Sequence, residues 1–179
     1  AGSVKSIRLT GVAFEVAGVS FSADSVTITE TSATQIDASG AGLGFELSAG
    51  DRRVIGASNA RFALRATSTG VAFALRGGTL LGPELGGDLT FAAANVAVDV
   101  NTTTSPVTLA GPVAPPGTGT SNVDVAAASS SSNPSVVVSA TTAQIGVLGS
   151  TATADSISFS VIGDVVDPLA GSYYIERLT

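Results

Sequence analysis

The side chains that most often carry out catalysis are scarce in this sequence. Its 179 residues include no His and no Cys, which excludes Ser-His-Asp and Cys-His nucleophile systems and most transition-metal sites. Carboxylates are the remaining candidates for acid–base chemistry, and the closest pair is Asp164 with Asp167. Two carboxylates on a loop form a weak Ca²⁺ candidate, and the alternative is a solvated turn that Asp itself favours. The sequence therefore predicts neither an enzyme nor an obligatory cofactor.

Three further patterns have structural as well as chemical explanations. Asp24 and Asp155 occupy the same place in two copies of a repeat, which favours a turn or strand-edge role over two active sites. The Gly-rich segment 75–83 lacks the Gly-Lys-Ser/Thr ending of a phosphate loop. The Thr-containing segments 102–104 and 150–153 could order water as ice-binding proteins do, although their spacing is irregular.

A β-hairpin sequence occurs more than once in this chain. Residues 10–28 recur without a gap as residues 141–159, which keep the Thr, the Gly of the turn and the Ala-Asp-Ser. A third, looser copy spans residues 69–98, and its first five residues, 69–73, repeat residues 10–14 letter for letter. Self-similarity of this kind is typical of stacked or tandem β architectures, whose usual role is structural.

Composition places the chain among soluble or fibrous proteins. Charged residues make up 12% and the mean hydropathy is +0.45, yet no apolar run approaches the ~18 residues of a spanning helix. The net charge of −6 and the lack of a basic cluster beyond Arg52-Arg53 argue against nucleic acid as a partner. Aromatic residues at 5%, with no Trp, lead us to expect no membrane insertion. Without Cys there are no disulfides, and the absence of Met leads us to expect release from a longer precursor.

Apolar residues alternate with polar or small ones in short runs, and no long stretch has helical periodicity. We therefore predict an all-β fold of repeated antiparallel β-hairpins, arranged as a sandwich or a solenoid-like roll, with almost no helix. Turns are predicted at Ala17-Gly18, Gly40, Gly50-Asp51, Gly77-Gly78, Gly86-Gly87 and Gly149-Ser150.

Two segments interrupt the strand pattern. The Pro/Gly-rich segment 111–120 cannot donate a full ladder of hydrogen bonds and is predicted to be an extended loop. A second loop is predicted at the Ser-rich segment 129–134. We predict one all-β domain over residues 1–179, and the alternative is a boundary within the Pro/Gly-rich loop.

The core residues are small, which points to assembly. Ala and Val stand where Leu and Phe are usual, so thin layers gain little from burial against a backbone ordering cost of roughly 1–2 kcal/mol per residue. Packing against another copy would supply the missing burial. The termini are the candidate interfaces: one of them would add a β-strand to a neighbouring subunit, and the alternative is that both are ordinary edge strands. Deletion of residues 1–9 is then expected to abolish assembly without unfolding. The interface candidates are Val4, Ile7, Leu9, Tyr173, Tyr174 and Ile175.

The repeated segments have a family resemblance. The stretches TGVAFEVAGVSFSADSVTITE, RVIGASNARFAL, TGVAFALRGGTL and GGDLTFAAANVAVDVNTT resemble the long β-repeats of giant bacterial extracellular, adhesin-like surface proteins. The resemblance covers residues 7–107, with an echo over residues 135–161. It implies secretion, a place at the cell surface and a non-enzymatic role, and it carries no functional residue with it.

Two functions follow as hypotheses. The first is an extracellular structural protein, a subunit or repeat module of a bacterial surface fibre, sheath or adhesin, whose partner is another copy of itself. The alternative is a module that recognises a surface, such as a glycan or ice. The lack of Trp argues against stacking on sugars, because Tyr occurs only at positions 173 and 174.

Overall fold

The computed structural model describes residues 5–16, 19–49, 52–82, 89–111, 122–128 and 134–161. The all-β prediction is confirmed: the described residues contain no helix and form a large antiparallel sheet together with a small one. The strands are β1 (Lys5–Val16), β2 (Val19–Ser32), β3 (Gln35–Ala49), β4 (Arg52–Thr67), β5 (Gly70–Arg76), β6 (Thr79–Leu81), β7 (Leu89–Ala94), β8 (Ala97–Asn101), β9 (Val107–Ala110), β10 (Asn122–Val125), β11 (Ser135–Ala140), β12 (Thr142–Val147), β13 (Ser150–Ala154) and β14 (Ile157–Val161).

The large sheet is a meander whose neighbours follow chain order. Strands β1 to β4 pair successively, and β4 pairs with both β5 and β6. The pairs β5–β6, β7–β8, β11–β12 and β13–β14 each form one long, interrupted strand, because both parts pair with the same long neighbour in an unbroken register. The described part of the sheet is therefore a series of eight long antiparallel strands. Within the described residues one excursion leaves the sheet, between β8 and β11, and it contains the small β9–β10 sheet.

The interruptions lie side by side and form a crease across the sheet. The chain bends at Gly77-Gly78, Asn95, Thr141 and Asp155. In the longer strands the same row carries residues with left-handed backbone, at φ 60° for Gly11, 67° for Gly42 and 64° for Asn59. Glycine and Asn adopt this conformation at the lowest cost, which explains their place in this row. We call this row the crease; its members are Gly11, Asp24, Gly42, Asn59, Gly77, Gly78, Asn95, Thr141, Asp155 and Ser156.

Apolar residues change their alternation at the crease. In β11 the even-numbered positions Val136, Val138 and Ala140 are apolar, with Val137 as one odd-numbered exception, whereas in β12 the apolar positions are odd-numbered, beginning at Ala143. Ala140 and Ala143 nevertheless belong to one core cluster, as do Val96 and Ala93 on the neighbouring strand. A change of backbone conformation re-aims the side chains that follow it. The crease therefore keeps the apolar residues of both halves on the same side of the bent sheet.

The small β9–β10 sheet covers the other side. Its two most buried side chains, Leu109 and Val125, are 2% and 1% exposed and form a second core cluster. They pack against Ala63, Ala72 and Ala74, each at most 1% exposed. Alanine on β4 and β5 lets the hairpin approach the sheet closely, as the composition suggests. Two layers therefore exist where this hairpin lies.

The repeat copies prove to be hairpins at the two ends of the sheet. Residues 10–28 belong to β1 and β2, and residues 141–159 belong to the last two long strands, which turn at Leu148-Gly149. The predicted turn at Gly40 is wrong, because Gly40 lies inside β3, where an added Cβ would overlap the Phe62 ring. The predicted turn at Gly77-Gly78 is a bend within one long strand. Residues 17–18, 50–51 and 86–87 lie outside the described residues.

Candidate functional site

The most extensive surface feature is an apolar face on the side of the sheet opposite the small hairpin. Two rows of paired residues cross the sheet there, each member lying opposite the next in the register. Such cross-strand pairs stabilise a sheet by roughly 0.2–1 kcal/mol each. We call these rows the apolar face: Ile7, Ile28, Ala38, Leu64, Phe73, Val100 and Val136 in one, and Leu9, Val26, Gly40, Phe62, Leu75, Val98 and Val138 in the other.

The apolar face becomes more exposed toward β1. Leu75 in the middle of the sheet is 7% exposed, whereas Leu9 is 43% and Ile7 is 61% exposed. Ile28 and Ile36 on the neighbouring strands are also exposed. Soluble monomers rarely leave apolar rows of this length uncovered, and such patches mark sites of interaction. The two predicted interface residues within the described part, Ile7 and Leu9, thus lie on an exposed apolar surface.

The opposite face of the same strands is polar. Ser6, Thr29, Asp37 and Arg65 lie opposite one another in successive strands. Charged side chains interrupt the hydroxyl groups in this row, so the row is not the regular Thr array that an ice-binding surface would need.

Asp37 is the centre of a charged network on this polar face. Its Oδ1 accepts a hydrogen bond from Arg65 Nε at 2.8 Å, and its Oδ2 accepts one from Gln35 at 2.8 Å and one from Thr31 at 3.0 Å. Partial burial acts to raise the pKa of Asp37, but these hydrogen bonds and the Arg65 charge together hold the pKa below its ordinary value. Its carboxylate therefore stabilises the fold above its unfolded pKa, and this contribution is lost as the pH falls through the folded pKa.

A second ion pair lies under the small sheet. Arg76 Nη2 donates to Asp99 Oδ2 at 2.8 Å, and Arg76 Nη1 lies 2.6 Å from Asp99 Oδ1. Asp99 Oδ1 has no hydrogen-bond partner among the described residues, so that contact is coulombic. Both side chains are mostly buried. Arg65 and Arg76 are thus each paired with an aspartate of a neighbouring strand.

An open cleft of about 560 Å³ lies beside Arg65. Hydroxyl groups of Thr67, Thr69 and the 102–105 segment line it, together with Ala72 and Val107. No aromatic side chain is among the described residues that line it. The cleft therefore offers hydroxyl groups but no platform on which a sugar ring could stack.

Asn101 holds the wall of this cleft in place. Its side chain is fully buried and donates to the carbonyl oxygens of Ser105 and Ala126, both at 2.9 Å. Its Oδ1 accepts from the backbone N–H and the hydroxyl of Thr103, both at 2.8 Å. All the hydrogen-bonding groups of this amide are thereby satisfied. The bonds to Thr103 are local, as in an Asx turn, whereas the carbonyl of Ala126, 25 residues away, is a partner that no local pattern predicts.

Some of the acidic candidates from the sequence lie among the described residues, and others lie outside them. Asp24 lies in the crease inside β2, which pairs with a strand on each side, so it is at neither a turn nor a sheet edge; Asp155 lies at the bend of the last long strand. The weak Ca²⁺ candidates Asp164 and Asp167 lie outside the described residues. Within the described ranges no three of His, Cys, Asp and Glu come close enough to hold a metal ion. The interface candidates Val4, Tyr173, Tyr174 and Ile175 also lie outside the described residues.

Comparisons of this chain with protein-family models, curated proteins and solved structures find no match. The part of the chain that the structure describes contains no helix long and apolar enough to cross a membrane.

Proposed function

We propose that this protein is a non-enzymatic structural subunit or repeat module of a bacterial surface fibre, sheath or adhesin, located outside the cell, and that it assembles with copies of itself. The observation that carries the proposal is the apolar face, which spans the described sheet and is most exposed near the edge strand β1. Low charge, small core residues and the hairpin repeat support it, as does the resemblance to adhesin-like repeats. The load in such an assembly would be carried by backbone hydrogen bonds and apolar contacts.

The cleft gives less support to the alternative function, recognition of a glycan or ice. Arg65, the charged group that lines it, is already paired with Asp37, and the described lining lacks an aromatic ring. Assembly is therefore the function that the geometry supports best.

The proposal is tested by placing charge on the apolar face. The double variant Ile7→Lys with Leu9→Lys should abolish assembly, because each buried side chain of this size contributes roughly 1.5–3 kcal/mol. Loss of both side-chain contributions corresponds to a more than hundredfold weaker association, because about 1.4 kcal/mol changes the dissociation constant tenfold. Light scattering over a concentration series and negative-stain microscopy would measure it.

The matched control is the double variant Ser6→Lys with Thr10→Lys, which adds the same charge to exposed positions on the polar side of β1. It should assemble as the unmodified chain does. If the unmodified chain stays monomeric at high concentration, the proposed function is wrong.

A further inference from the structure

We infer that a second copy of this chain adds its strand β1 to the outer edge of the last long strand, β13–β14, so that one sheet continues through successive copies. This inference rests on the proposed function and deepens it, since it names the two edges that meet, their direction and their register.

Both edges have the required direction. Among the described residues β1 pairs only with β2, while β13 pairs only with β12 and β14 only with β11. The long strands alternate in direction, so the eighth runs opposite to the first. A β1 strand from the next copy would therefore extend the alternation as an ordinary antiparallel neighbour. Open edges of this kind are templates for strand addition.

A template for this junction exists inside the chain, where β2 pairs with β3. The sequence of β2 resembles that of the last long strand, because Ala23-Asp24-Ser25 recurs as Ala154-Asp155-Ser156. The sequence of β3 resembles that of β1, because Gly11-Val-Ala-Phe-Glu-Val16 recurs as Gly42-Leu-Gly-Phe-Glu-Leu47. Gly11 and Gly42 also share a left-handed backbone, at φ 60° and 67°. The last long strand and β1 of a second copy thus match a pair of strands that already lie side by side.

The template fixes the register. Thr27 lies opposite Ser39 in the β2–β3 pair, which places Ser158 opposite Arg8 of the next copy. Val26 lies opposite Gly40, which places Ile157 opposite Leu9. In this register Phe159 lies opposite Ile7 and Ile157 opposite Leu9, whereas Val161 lies opposite Lys5, so apolar pairing continues across the junction at two of these three positions. A shift of one residue would place apolar positions opposite polar ones, which a sheet with one apolar face disfavours.

The crease supplies an independent match. At the β2–β3 pair the carboxylate of Asp24 lies over Gly42, where an added Cβ would overlap it. The same register places Asp155 over Gly11 of the next copy. An added Cβ at Gly11 meets no atom within 4 Å, whereas Gly42, Gly44 and Gly78 are each closely covered. The open space at Gly11 leaves room for the side chain of Asp155 from the last long strand of another copy.

Site-specific disulfides test the junction, because the chain has no Cys of its own. Arg8→Cys and Ser158→Cys proteins, both altered at exposed positions, are mixed while reduced, allowed to assemble and then oxidised. We expect a dimer on a non-reducing gel whose disulfide joins positions 8 and 158, identified by peptide mass spectrometry. The matched control is a mixture of Arg8→Cys with Thr153→Cys. That pair lies five residues out of register, roughly 17 Å apart, and should give about tenfold less dimer because a disulfide needs Cα atoms within ~7 Å.

The possible results separate this inference from the proposed function. Assemblies that link 8 to 8, or 158 to 158, would mean symmetric edge contacts and would overturn the inference while leaving self-assembly intact. Assemblies that form without any disulfide at these positions would do the same. Absence of assembly in the unmodified chain, seen by light scattering, would overturn both.

Discussion

At the residue scale the polar groups that matter most are those that tie strands to loops. The buried amide of Asn101 joins the end of β8 to two segments of the long excursion, through four hydrogen bonds to Thr103, Ser105 and Ala126. Asp37, on the surface of β3, joins two strands in the same way, because it pairs with Arg65 of β4. Removal of a buried, fully paired group lowers stability by more than the value of an average hydrogen bond, because its former partners remain buried with neither a protein group nor water to bond.

Asn101→Ala should therefore lower the free energy of unfolding by about 3 kcal/mol, because several buried backbone groups lose their partner at once. Urea denaturation followed by circular dichroism would measure the change. The matched control is Asn122→Ala at an exposed position of β10, for which we expect a change within about 0.5 kcal/mol. Equal effects of the two substitutions would contradict the role given to Asn101.

At the element scale the crease decides how long strands become a bent sheet. Side chains alternate strictly along an undisturbed strand, so a bend without a change of conformation would place half of the apolar residues on the polar side. Left-handed residues correct this in several strands, at Gly11, Gly42, Asn59, Gly78 and Asn95, and core residues from both sides of the crease pack together. Asn95 also fixes the bend directly, since its side chain donates to Thr141 at 3.0 Å and its backbone N–H donates to the Gly78 carbonyl at 3.0 Å.

Gly78→Ala tests the crease. Gly78 has φ 79°, and an added Cβ would lie 2.5 Å from the Ser58 carbonyl oxygen and 3.0 Å from the Ala60 nitrogen. Backbone atoms of β4 must then move, so we expect a loss clearly larger than the roughly 1–2 kcal/mol of a left-handed alanine alone.

Gly149→Ala is the matched control for that substitution, because Gly149 has φ 81° and open space around the added Cβ. Its loss should equal the backbone cost alone, about 1–2 kcal/mol. Thermal unfolding of both variants would measure the difference, and indistinguishable melting temperatures would argue against close packing at the crease.

At the scale of the whole molecule the distribution of apolar surface favours growth over closure. A junction between two different edges leaves one unpaired edge of each kind at the ends of the assembly. Further copies can therefore add, and the product is a filament unless the rotation between successive copies closes a ring. The small sheet covers the middle of the polar side, while the apolar face stays exposed toward β1. The proposed assembly would use the direction of the two edge strands and this exposed apolar surface.

The proposed assembly would be driven by apolar burial, so it should weaken on cooling and strengthen with sulfate. We expect light scattering to fall reversibly between about 25 °C and about 4 °C, and to rise when ammonium sulfate is added. The charged residues are few, at 12%, so moderate sodium chloride should have little effect. Dissolution of the assemblies by sodium chloride would instead indicate that ion pairs hold them together.

The sequence by itself determined the local structure. Alternation of side chains and the lack of helical periodicity were sufficient for an all-β fold, because the pleat of a strand has the same period wherever the strand lies. The recurrence of residues 10–28 as 141–159 correctly indicated two hairpins. The change of alternation at the crease is also present in the sequence, for example between Ala140 and Ala143, but such a change resembles a break between short strands, as at Gly77-Gly78, where the sequence predicts a turn.

Only the tertiary structure decided which strands are neighbours and what the glycines do. Arg65 finds Asp37, 28 residues away, because β3 and β4 pair in one register, and Gly40 serves close packing against Phe62 where its sequence predicted a turn. Leu109 and Val125 become the most deeply buried large side chains because the sheet beneath them carries alanines. These outcomes depend on contacts between segments that are distant in the chain. The packing of the whole sheet determines such contacts, so a local sequence pattern cannot predict them.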